Sequence, residues 1–253
     1  MGNNYGLPTK QQKQCNTTPR ETALMGAVLQ NEVNQVKRLV KSSKADIDVV
    51  NSDGNTALDL ALLTVMSSEA STVPIDIVKV LLRGGADKLS HQTLFKTIGV
   101  LIIKEQTSNE LSVLSQVISE HTRSQTIRGL FLQCLVRGER PDLIEQLLAK
   151  GCNPLLFWED QYNLLDQYDT MVGVSYFERE RLVPPDVALL FIKAATNKNK
   201  STVLQKVVSD MLKYDRGFFT EERMDQAREL YSVIKKSSHE LGPSEEEKLS
   251  WIK

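Results

Sequence analysis

Three cysteines and three histidines in 253 residues leave little material for metal or thiol chemistry. Cys15, Cys134 and Cys152 are odd in number and lack the spacing of a zinc site, so they read as reduced thiols of a cytosolic protein. His91, His121 and His239 form no ligand pair, and no metal site is expected. There is no Gly-rich phosphate loop and no Gly-x-Ser-x-Gly elbow, so no cofactor and no catalytic residue is assigned. Arg83-Gly84-Gly85 follows a helical pattern, not a strand, and reads as a helix stop. A net charge of −1 supplies no global field for nucleic acid. No apolar run approaches the length of a membrane span. Residues 1–20 are polar and lack the apolar stretch of a secretory signal, which points to a cytoplasmic protein.

What is present is a motif that occurs twice. Asn51-Ser52-Asp53-Gly54-Asn55 is a turn, and Thr56-Ala57-Leu58 begins a helix with a hydroxyl placed to accept from its first free amides. Ile77, Val78, Leu81 and Leu82 form one apolar helical face, which Gly84 or Gly85 terminates. An earlier start is Thr22-Ala23-Leu24, and Thr22 to Thr56 is 34 positions. A later stop is Gly151-Cys152-Asn153-Pro154, preceded by the apolar face Leu143, Ile144, Leu147 and Leu148.

These residues resemble ankyrin repeats, whose period is about 33 residues. The departures are the usual Pro and His of the helix start, replaced by Ala23 and Met25 in one copy and by Ala57 and Asp59 in the other. Both losses are expected to weaken the helix start. Asn31-Glu32 stands where the family places Gly between the helices of a pair. Ser67 to Pro74 is an insertion, since Thr22 to Val36 spans 14 positions and Thr56 to Val78 spans 22. It is expected to lengthen the first helix or widen the loop. From Gly138 to Gly151 is 13 positions, one more than usual, which suggests a residue inserted near Arg140-Pro141.

The implied architecture is all-α: an ankyrin-like helical-repeat solenoid with C-terminal capping helices. Residues 1–17 read as a disordered tail. Residues 18–212 hold the repeats, clearest at 18–90 and 125–156. In 91–124 an apolar run through Leu94, Ile98, Leu101 and Ile103 and a second through Leu111, Leu114 and Ile118 suggest a helix pair without its loop signature. Residues 213–253 read as caps, with Ser244 and Glu247 as a capping box for the last helix. Leu81 and Leu147 are expected in the core.

The resemblance implies a non-catalytic module that binds another protein through loop tips. By position, the first tip carries Asn51, Ser52, Asp53 and Asn55, the second His91 and Gln92, and the third Trp158, Glu159, Gln161 and Tyr162. The third is favoured energetically because Trp and Tyr dominate interface hot spots. As an exposed anchor, Trp158 would be replaceable by Ala without loss of thermal stability. Its alternative is packing beneath the segment 169–185. Two other readings stay open: an enzyme with its site in 157–240, and a structural subunit of a larger assembly. The Glu-rich end Ser244–Lys253 resembles the tails of bacterial type IV effectors, which implies leaderless secretion into a host cytosol as the alternative localisation.

Overall fold

The computed structural model describes residues 22–42, 46–67, 73–104, 109–159, 182–214, 220–237 and 242–252. Among them the chain is all-helical, with no strand. The helices are α1 Ala23–Leu29, α2 Val33–Lys41, α3 Ala57–Ser67, α4 Val73–Arg83, α5 His91–Lys104, α6 Glu110–His121, α7 Gln125–Arg137, α8 Pro141–Ala149 and α9 Leu156–Glu159. Beyond these come α10 Pro185–Ala194, α11 Lys200–Met211, α12 Glu221–Lys236, α13 Pro243–Lys248 and a 3-10 turn at Ser250–Ile252.

The helices pack in two rows. In one, α1, α3, α5, α7 and α9 follow each other in contact; in the other, α2, α4, α6, α8, α10 and α12 do. Rungs between the rows join α1 to α2, α3 to α4, α5 to α6 and α7 to α8. The apolar positions close between the rows: Val28, Val65, Ile77, Leu81, Leu94, Leu114, Phe131 and Leu147 are all fully buried. Leu81 and Leu147 thus occupy the core as their helical spacing predicts. Ile103, at the end of the apolar run of α5, is instead 80% exposed.

The insertion after Ser67 lengthens α3, which has 11 residues against the seven of α1. Residues 68–72 lie outside those described. Between α7 and α8 the expectation needs correcting. The left-handed position is Glu139, at φ 51°, whereas Gly138 keeps a negative φ. Measured between left-handed residues, 139 to 151 is 12 positions, so nothing is inserted at Arg140-Pro141. Gly138 is small for another reason: a Cβ there would collide with Ile102 Cδ1 of α5.

One backbone device ends four helices. Asn31, Gly85, Glu139 and Gly151 are left-handed, and their amides donate to Val28, Leu82, Val136 and Leu148. The amide after each donates one residue further back, to Ala27, Leu81, Leu135 and Leu147. This pair of bonds is the Schellman motif, which satisfies carbonyls that a helix end leaves unpaired. Asn31 therefore takes the conformation that Gly takes at 85 and 151.

At the C-terminal end, Glu246 donates its amide to the Gly242 carbonyl, and α13 starts at Pro243. That puts Gly242 at the cap and Ser244 inside the first turn, so the proposed capping box at Ser244 and Glu247 is displaced by Pro243, whose fixed φ suits the first helical position. Leu249 and Ile252 are buried, and the 3-10 turn packs on α12.

Candidate functional site

The connections from one pair to the next converge on one edge, where α2, α4, α6 and α8 end and α3, α5, α7 and α9 begin. Four hydroxyls cap helix starts along it. Thr22 Oγ1 accepts from the Met25 amide at 3.2 Å, Thr56 Oγ1 from Asp59 at 3.1 Å, Ser90 Oγ from Thr93 at 3.4 Å and Ser124 Oγ from Ile127 at 3.4 Å. Residues 22, 56, 90 and 124 are each 34 positions from the next. The pair α5–α6 thus keeps its cap although it lacks a Thr-x-Leu start. The signal was legible as a hydroxyl on a fixed register, not as a motif.

Asp59 stands at the fourth position of the Thr56-Ala57-Leu58-Asp59 helix start. Its carboxylate is buried and accepts from the Thr56 amide at 2.9 Å, the Thr56 hydroxyl at 2.8 Å and the Ser90 amide at 2.8 Å. It closes its own helix start and ties the next one to it. Farther out on the same edge, Asp48 Oδ1 accepts from the amides of Asp87 and Lys88, each at 3.2 Å. Partial burial and the neighbouring Asp87 carboxyl raise the Asp48 pKa above the usual carboxylate range, against the lowering pull of those amides.

Within the first tip the residues divide. Asn51 Oδ1 accepts from the amides of Asp53 at 3.0 Å and Asn55 at 2.9 Å, and Gly54, at φ 79°, turns the chain. Asn51 and Asn55 therefore build the tip, while Ser52 and Asp53 stand exposed on it. Gln92 is half-buried at the start of α5. Gln161 and Tyr162 lie outside the described residues, as do the side chains of His91 and Glu159.

Trp158 is held within the fold. Its indole N–H donates to Asp210 Oδ2 at 3.0 Å, and its ring meets Phe157 and Phe191 edge-on, both with centroids 5.5 Å away. Phe157 is buried. The partners of Trp158 come from α9, α10 and α11, none of them from the first two tips. Segment 169–185, beneath which this ring was alternatively expected to pack, lies mostly outside the described residues. Asp210 also pairs with Lys213 at 3.1 Å.

The two described thiols show no sign of activation. Cys134 and Cys152 are buried, and loss of water pushes both pKa values up to about 12, opposite to the requirement of a nucleophile. Cys15 lies outside the described residues. Among those described, no group of His, Cys, Asp and Glu has the arrangement of a metal site, and no helix is long and apolar enough to cross a membrane.

A cleft of about 450 Å³ opens on the same edge between the ends of α4 and α6 and the start of α7. Arg83, Glu120, His121, Arg123 and Arg128 line it. It lies where the connection is shortest: three residues, 122–124, separate α6 from α7, against seven between α4 and α5. Arg128 spans neighbouring elements, donating to the carbonyls of Ser119, Thr122 and Lys150. Sequence reading missed this cluster because its cations come from three separate helix boundaries and form no local run. Comparison with known proteins finds no matching family model, no matching curated protein and no matching solved structure.

Proposed function

We propose that the chain is a non-catalytic protein-interaction module of ankyrin-like helix pairs, and that it engages its partner along the loop edge. The observation that carries this reading is the row of four capping hydroxyls at a constant spacing of 34, each starting a first helix on that edge. Such a row fixes successive loops at regular intervals on a rigid support, and loops so held are where binding residues concentrate. The exposed pair Ser52 and Asp53 is the best-presented contact among the residues named from sequence. Asn51 and Asn55 support it from below.

A photo-crosslinking amino acid placed at Asp53, and in a second variant at Lys37 on the exposed face of α2, tests the assignment. In an extract of the source cells, a defined protein should couple to the Asp53 variant and not to the Lys37 variant. Coupling from Lys37 alone, or from neither, would sink the loop-edge reading.

A further inference from the structure

The cleft beside α6 carries more positive charge than its neighbours neutralise. Arg83 is exposed at the end of α4, its Nε and Nη2 lying 3.4 Å from the two ring nitrogens of His121. Arg123 is exposed, with no hydrogen-bond or ion-pair partner among the described residues. Arg128 spends its N–H groups on carbonyls, which orient the guanidinium but leave its charge in place. Its Nε is buried with no hydrogen-bond partner among the described residues. The acid in the lining, Glu120, accepts from Gln116 Nε2 at 3.1 Å and lies 3.8 Å from Lys150 Nζ and from His121 Nε2. His121 responds to this field. Burial first, then the charges of Arg83 and Lys79, hold its pKa below the usual value.

We propose that this cleft takes an acidic side-chain segment of the protein partner, with Arg83 and Arg123 gripping its carboxylates; the inference rests on the protein-interaction reading above. Guanidinium groups suit carboxylates in a charge-assisted geometry, and both arginines are exposed. The occupant is a short acidic segment and not a nucleic acid because the cationic surface is local. The next loops along the edge carry Asp46, Asp48, Asp53 and Asp87, and an extended polyanion crossing the cleft would meet them. The whole chain is close to neutral at −1, so the patch stands out from its surroundings without steering polyanions at long range.

The test uses the full chain and a fluorescein-labelled peptide of alternating Glu and Gly, read by fluorescence anisotropy at low salt. The same peptide with Gln for Glu is the control. Arg123→Glu, whose side chain makes no bond among the described residues, and Arg83→Glu should each weaken the Glu peptide by about tenfold or more, with helical content unchanged by circular dichroism. The Gln peptide should not bind. No binding of the Glu peptide, or undiminished binding after charge reversal at Arg123, overturns the proposal. So does equal or tighter binding of an RNA oligonucleotide with the same number of charges. Crosslinking from Asp53 is scored separately in the Arg123→Glu chain. If the partner still couples there while the Glu peptide fails to bind even the parent chain, the cleft proposal falls and the loop-edge reading stands.

Discussion

Asp59 shows how a single substitution can reverse an inference drawn from a motif. In the motif that Thr56-Ala57-Leu58-Asp59 resembles, Asp in place of His looks like a weaker helix start. The carboxylate instead accepts three hydrogen bonds, two at its own helix start and one from the amide that opens the next pair. Truncating it leaves the buried Thr56 amide and the half-buried Ser90 amide without that acceptor, and an unsatisfied buried donor costs about 1–3 kcal/mol. Asp59→Ala should therefore lower unfolding stability by at least about 2 kcal/mol. Urea denaturation followed by circular dichroism checks it, and a loss below about 0.5 kcal/mol would mean that water reaches these amides. What could be read in advance was the position of the cap, because Thr56 precedes an apolar helical run. The reach from Asp59 to Ser90 could not, since the two are 31 positions apart and nothing local marks them as partners.

Among the elements, the helix ends repay closer reading than the helix bodies. Apolar periodicity placed α1 to α8, and with them Leu81 and Leu147 in the core, because burial of one face is what the 3.6-residue period encodes. The turns were less legible. Gly138 looks like the left-handed residue and is not; Glu139 is, and Gly138 is small to admit Ile102. Glycine answers to two different constraints, backbone conformation and close approach, and the letter alone does not say which. The two separate by mutation. Gly85 has φ 96° and open space around a prospective Cβ, so Gly85→Ala should cost about 1–2 kcal/mol from conformation alone. Glu139→Gly should be neutral or stabilising by up to about 1 kcal/mol, since relief of the left-handed backbone exceeds the loss of an exposed pair with Arg223. Differential scanning calorimetry of both variants decides; a destabilised Glu139→Gly would assign real weight to the Arg223 contact.

For the molecule as a whole, Trp158 changes meaning. From its place in the sequence it is either an anchor offered to a partner or a ring packed into the fold; in the structure it joins α9 to α10 and α11 through Phe191 and Asp210. Trp158→Ala should then melt distinctly earlier than the parent, with a loss of about 2–3 kcal/mol, below the range for a fully buried Trp because this ring is half-buried. An unchanged melting temperature would restore the view of a ring offered to solvent. In the sequence an aromatic residue carries no mark that tells the two roles apart, because Phe191 and Asp210 arrive only through the tertiary fold.

The two rows of helices have a consequence for how the chain reaches its native state. Among the described elements, extensive packing joins only helices one or two places apart in order. Contacts of such short range need little closure of long chain loops, so the entropy lost before the first productive contact is small. The protein should fold rapidly and from more than one starting point, with the interior pairs zipping outward. Among the described elements, the outermost helices should open and close many times before the middle ones do.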